Sequence, residues 1–197
     1  MGFNEIKQMA EAQQDYMIRM RRHFHSFPEV SNQEFETSNF IAEELNRMGV
    51  PYERIDGTGI IAAVEGKKPG RNRLLRCDMD ALPVKEDVQN LKGPKACISQ
   101  KEGVCHACGH DAHMAMMLGT IRVLLQIKDQ IEGTVYCCFE EGEESTTGVV
   151  SMMKALEHYT VDECFALHVY NALEAGKTNI VSGSRMAGAV GFGIHVK

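Results

Sequence analysis

The chain has 197 residues, 44% hydrophobic and 24% charged, a composition that buries one sizeable core within single-domain size and excludes a disordered polymer. Its formal net charge is -6, and apart from Arg19, Arg21 and Arg22 its basic residues are scattered, so no nucleic-acid partner is expected. No apolar run approaches the ~20 residues of a bilayer span and residues 1–20 are not signal-like, which predicts no membrane partner and a cytoplasmic location.

Apolar side chains at Ile6, Met9, Met17, Met20 and Phe24 recur at irregular helical spacing, predicting one amphipathic helix over residues 6–24. Pro28 separates it from a second helix over 33–47, with Ser31 or Asn32 as cap, Phe35, Phe40, Ile41, Leu45 and Met48 as buried stripe, and Gly49 as terminator. Strands are expected at 52–55, 60–65 and 73–79, divided by Asp56-Gly57 and Lys67-Lys68-Pro69-Gly70. Residues 85–104 show little periodicity and read as a functional loop. A helix over 112–127 is apolar on most of its surface and must lie buried on a sheet, whereas the β-branched, aromatic and cysteine run 134–139 reads as a central strand. A short helix at 148–157, a buried strand at 164–169 and further strands at 177–181 and 190–196 complete the pattern. Strands alternating with helices define an α/β domain with a mixed twisted sheet and helices on both faces.

Residues 105–113 read Cys-His-Ala-Cys-Gly-His-Asp-Ala-His, a density of soft and borderline ligands that points to a transition metal. Cys108 and His110 are two apart, so both reach one ion only from a turn, which Gly109 permits. Seven cysteines, unevenly spread, make a poor disulfide framework. Isolated Cys77, Cys97 and Cys164 are expected to be small buried residues.

Other metal-binding types fall at the ends of predicted strands. The first strand end carries Asp78-Met79-Asp80, the second carries Glu140-Glu141-Gly142-Glu143-Glu144, and the third holds His168. Alone, the first segment reads equally well as a polar turn, while the second reads more readily as a solvated acidic loop and the third as a hydrogen-bonded core histidine. Their coincidence at element ends favours convergent ligands. The chemistry these types permit is metal-assisted hydrolysis, in which an ion polarises a carbonyl and acidifies water while a free carboxylate moves the proton. Adjacent Glu143 and Glu144 suit a division between proton transfer and metal binding, and a buried acid such as Asp80 suits the second N–H of a ligand imidazole. A redox dithiol at Cys105 and Cys108 would leave those acids unexplained.

Five ordered segments, Arg22-His23-Phe24-His25-Ser26-Phe27-Pro28-Glu29, Asp78-Met79-Asp80-Ala81-Leu82-Pro83, residues 105–113, residues 139–144 and Leu167-His168-Val169, resemble the amidohydrolase branch of the aminoacylase and carboxypeptidase superfamily. Hippurate hydrolase, N-acyl-amino-acid amidohydrolases and auxin-conjugate hydrolases belong to that branch. The resemblance implies Cys108, His110, Glu144 and His168 as metal ligands, Glu143 as general base and Asp80 as orienting acid. It implies one or two divalent ions per complete site and an N-acyl or N-aroyl amino acid as substrate; thiolate and imidazole ligands favour zinc, nickel or cobalt by softness, and the extra carboxylates tolerate manganese. Cys105, His106 and His113 are then supporting residues, and His23 and His25 packing or capping residues. The chain departs from the pattern at Glu140-Glu141-Gly142, where Gln-Pro-Ala is common, and at Cys77, where a small residue is usual. The resemblance also implies that residues 1–190 are the N-terminal part of a catalytic domain and that 191–197 start the strand crossing into a dimerisation domain. A last metal-binding histidine and a carbonyl-binding histidine have no counterpart, so a truncated or split product is expected, inactive or weakly active alone, as a homo-oligomer or with a separate C-terminal half as partner.

Overall fold

The computed structural model describes residues 2–184. The first predicted helix is two, α1 (Phe3–Glu11) and α2 (Gln14–Ser26). The irregular apolar spacing marks the break: α2 turns Tyr16, Phe24 and His25 inward, while α1 buries no residue. Helix α3 (Phe35–Met48) ends as expected at Gly49, whose φ of 66° is left-handed. Its start differs from expectation. Neither Ser31 nor Asn32 caps it; the Glu29 carboxylate accepts the main-chain N–H groups of Glu36 at 3.3 Å and Thr37 at 2.8 Å instead. Ser31 is diverted because its hydroxyl donates to Asp80 at 2.6 Å.

Strands β1 (Tyr52–Arg54), β2 (Ile60–Glu65) and β3 (Arg73–Asp78) follow, then a two-residue hairpin, β4 (Gln89–Asn90) and β5 (Gly93–Pro94), inside the expected loop. Helix α4 (His110–Gln126), strand β6 (Thr134–Glu140), helix α5 (Gly148–Leu156) and strand β7 (Glu163–Ala166) complete the described elements. The main sheet runs β1-β2-β6-β3-β7 and is mixed, as expected: β2 is antiparallel to β1 and β6, and β3 is parallel to β6 and β7. Strand β6 is central. Alternation along β2 and β6 sends Ile60, Ala62, Val64, Val135, Cys137 and Phe139 to the face covered by α2, α3 and α4, and Ile61 and Cys138 to the face covered by α5. Helices therefore lie on both faces.

Strand β7 corrects two expectations. It stops at Ala166, so His168 lies beyond it, and it is an edge strand with Phe165 57% exposed rather than a buried one. Only β3 pairs with it among the described residues, so one edge lacks a neighbour. Residues 177–181 form no strand, Ile180 being 87% exposed. The strand expected at 190–196 and the crossing segment 191–197 lie outside the described residues. All seven cysteines are free; Cys77 is buried as expected, but Cys97 is half-buried and Cys164, on the open strand, is exposed.

Candidate metal centre

The centre lies beyond the carboxyl ends of β3 and β6, where Asp78 pairs in register with Glu140. Gly109, at φ 92°, makes the turn into α4, so Cys108 precedes the helix and His110 is its first residue. The two side chains share one space. Donor atoms of Cys108, His110 and Glu144 lie within 4.8 Å of one another, as do those of Asp80, His110 and Glu143. His168 joins them, its Nε2 being 3.5 Å from Cys108 Sγ. All six site residues expected from the sequence thus converge.

Hydrogen bonds orient both imidazoles by placing a proton on each Nδ1; burial works to lower the pKa of His110, but the acids around it, Asp80 first and then Asp78 and Glu144, raise it. His110, with no solvent exposure, donates from Nδ1 to the Asp80 carbonyl at 2.9 Å and faces the Asp80 carboxylate at 3.2 Å. Its Nε2 has no partner, nor does the nearby Glu144 Oε1, 3.9 Å away. His168 donates from Nδ1 to the Val169 carbonyl at 2.6 Å, which leaves Nε2 to accept from the Cys108 thiol at 3.5 Å. His110 Nε2 and Glu144 Oε1, polar atoms left unpaired in the interior, are costly unless a ligand satisfies them.

The electrostatics point the same way. Burial, then Glu144, Glu143 and Asp78, push the Cys108 thiol up to about 12. Burial, then Asp78 and Glu144, also raise Glu143 against the pull of His110. Asp80 is lower than usual: burial opposes this, but bonds from His110, Ser31 and the Glu144 main-chain N–H outweigh it. A region crowded with acids, one thiol and two imidazole Nε2 atoms fits a divalent transition-metal ion by charge and by ligand type.

The remaining candidates separate from this group. Glu140 pairs with Arg76 at 2.9 Å, and Glu141 accepts the Ser151 hydroxyl at 2.5 Å, leaving Glu143 and Glu144 to face His110. His106 is buried, its ring nitrogens have no partner, and burial lowers its pKa to about 4. Its neighbour Cys105 pairs through its main chain with Leu82. His23 stacks on Phe40 with ring centroids 3.7 Å apart. His25 does more than pack, bridging Asp111 at 2.7 Å and Glu86 at 2.8 Å. Sequence reasoning gave Asp78 no role. Its side chain accepts from His113 at 2.5 Å and from Arg76 at 2.7 Å, and the signal was Arg76 two residues earlier on the same strand face.

Residues 74–187, more than half of the chain, match the model of peptidase family M20/M25/M40, and the chain belongs to this family of metal-dependent amidohydrolases and peptidases. It is 37% identical over 194 residues to an N-acyl-L-amino acid amidohydrolase of Geobacillus stearothermophilus, covering 98% of this chain and 51% of that enzyme. Among solved structures, a putative aminohydrolase from methicillin-resistant Staphylococcus aureus superposes with a TM-score of 0.82 at 34% identity, over 88% of this chain and 44% of that one. The Bacillus subtilis YXEP protein, a dinuclear metal binding peptidase of family M20, gives 0.76 at 34% identity, over 83% and 45%. The chain spans about half the length of the curated relatives it matches. No helix among the described residues is long and apolar enough to cross a membrane.

Proposed function

We propose that this chain carries the metal-binding half of an amidohydrolase active site that cleaves N-acyl or N-aroyl amino acids. The observation that carries the reading is the convergence of the unpartnered His110 Nε2 and Glu144 Oε1 with the hydrogen-bonded pair of Cys108 Sγ and His168 Nε2, beside a second glutamate. Cys108, His110, Glu144 and His168 hold one or two divalent ions, zinc, nickel or cobalt by softness of the thiolate and imidazoles, with manganese tolerated through the carboxylate. Such an ion supplies the positive charge that polarises an amide carbonyl and acidifies water.

The chain's own groups do the rest. Glu143, whose side chain is 40% exposed and whose carboxyl is held above its usual range, takes a proton from water and returns it to the leaving nitrogen. Asp80 holds His110 in the tautomer that presents Nε2. The substrate class is supported by the name of the Geobacillus relative. Residues 1–190 act as the N-terminal part of the catalytic domain and 191–197 lead toward a dimerisation domain, a division supported by relatives about twice as long. A cytoplasmic location is supported by seven unpaired thiols.

The test is hydrolysis of hippurate and N-acetyl amino acids by the chain with added zinc, manganese, nickel or cobalt. Activity that disappears in Glu143→Gln and in Cys108→Ala supports the reading; activity surviving both overturns it. A second reading, a non-catalytic metal-binding half that works only when joined to a C-terminal half, is favoured by the β7 edge, which has no neighbour among the described residues and leaves Phe165 57% exposed. Restoration of hydrolysis by adding the C-terminal half of a relative separates the two.

A further inference from the structure

His168 has no secondary structure to hold it. It lies two residues past the end of β7 and is exposed, yet its Nε2 stands 3.5 Å from the Cys108 thiol. What fixes this short segment is its next residue. The main-chain N–H of Val169 donates to Nε2 of His113 at 3.0 Å, and the Val169 side chain lies over Gly109, with Cγ2 only 2.4 Å from where a Cβ on that glycine would stand. The segment is therefore clamped to the turn that carries Cys108 and His110.

The His113 end of the clamp is fully determined. Because Nε2 accepts a proton from Val169, the ring's own proton sits on Nδ1, which donates to Asp78 Oδ1 at 2.5 Å. The other Asp78 oxygen accepts from Arg76 at 2.7 Å, and Arg76 also reaches Glu140 at 2.9 Å, so the carboxylate is anchored across the paired ends of β3 and β6. Asp78 and His113 are 1% and 3% exposed. Donor atoms of Asp78, His110, His113 and His168 lie within 4.8 Å of one another, a spacing that suggests a further metal site. The hydrogen bonds argue against that use of His113, since both of its nitrogens are engaged and neither has a lone pair to give.

We infer that Asp78 and His113 are positioning residues that hold His168 at the metal centre through the main-chain N–H of Val169. The inference rests on the reading of His168 as a ligand. It acts through geometry: an imidazole on an exposed segment loses entropy on being ordered whenever it binds, and the clamp imposes that order in advance.

Amide isosteres separate the two ends of the clamp. Glutamine at 113 places its amide near Nε2 and can accept from Val169; asparagine places its amide near Nδ1, keeping the Asp78 bond and losing Val169. Cobalt(II) binding to the full chain is followed by visible absorption, with the thiolate charge-transfer band reporting Cys108 and the d–d bands reporting coordination geometry. His168→Ala and His113→Asn are expected to lose affinity ~10- to 100-fold, as outer-sphere partners of metal sites do, with altered d–d bands. His113→Gln is expected to stay within a few-fold of wild type, and the double variant His113→Asn/His168→Ala to bind no more weakly than His168→Ala. Wild-type affinity in His113→Asn, an equal loss in His113→Gln, or a loss that adds in full to that of His168→Ala overturns the inference. Wild-type affinity in His168→Ala overturns the ligand reading instead. If circular dichroism shows His113→Asn unfolded, Val169→Pro removes the same N–H from the surface side: a matching loss supports the inference and wild-type affinity overturns it.

Discussion

Asp80 and His110 meet twice, through the Asp80 carbonyl at 2.9 Å and its carboxylate at 3.2 Å from the same ring nitrogen. The second carboxylate oxygen of Asp80 accepts the main-chain N–H of Glu144 at 2.9 Å, so one acid orients a candidate ligand and anchors the loop of another. Asp80→Ala is expected to weaken zinc or cobalt binding by ~10- to 100-fold, and Asp80→Asn, which keeps an acceptor but loses the charge, by less. Competition with a chromophoric chelator measures both. Equal affinities for the wild type and Asp80→Ala would remove Asp80 from the centre.

Cys108 makes metal capture dependent on pH. Burial and the acids around it push its thiol up to about 12, which keeps the metal-free side chain protonated near neutral pH, and binding must release that proton. Apparent affinity is expected to rise with pH through the neutral range. Iodoacetamide is expected to modify Cys108 slowly in the metal-free chain, and faster in Glu144→Gln, which removes a neighbouring negative charge. Peptide mass mapping distinguishes Cys108 from the exposed Cys164. Unchanged alkylation in Glu144→Gln would contradict the assignment.

Gly109 is constrained by conformation and by space. At φ 92° any other residue is strained, and an added Cβ would meet Val169 Cγ2 at 2.4 Å. Gly109→Ala is expected to cost about 1–2 kcal/mol from backbone strain, read as a lower urea midpoint, and to weaken metal binding as Val169 is displaced. A variant with wild-type stability and affinity would show that the turn relaxes freely.

Glu141 is 2% exposed, with one oxygen bound to Ser151 and the other unpartnered. Burial first, and then the charges of Glu34 and Glu140, raise its pKa. The folded chain then holds this proton to higher pH than the unfolded chain. This contribution is present below the unfolded pKa and is lost as pH rises through the folded one. Glu141→Gln is expected to raise the urea midpoint at about pH 7.5 relative to wild type, with the gain vanishing below about pH 4, where the carboxyl is protonated in both states. A midpoint that falls at both pH values would contradict this.

Much of the fold was legible because period and turn chemistry are local. Strand β2 coincides with its predicted span, and α4 and β6 differ only at their ends. Convergence of Cys108, His110, Glu143, Glu144 and His168 was legible because each residue type stood at an element end. Other features depend on neighbours distant in sequence. The cap of α3 comes from Glu29, reading 164–169 as a buried strand required knowing which strand lies at the sheet edge, and the link from His113 to Val169 joins residues 56 apart through a main-chain group that no side-chain motif records.

Glu34, with no solvent exposure, accepts the main-chain N–H of Asn32 at 2.9 Å, the Thr58 hydroxyl at 2.7 Å and the main-chain N–H of Gly142 at 2.8 Å. The last of these spans 108 residues and sits at the base of the loop bearing Glu143 and Glu144. Closing so long a loop carries an entropic cost that is recovered only when both ends are in place. In refolding from urea, recovery of metal binding at the acidic loop is therefore expected to lag the return of the helical circular dichroism signal; simultaneous recovery would contradict this.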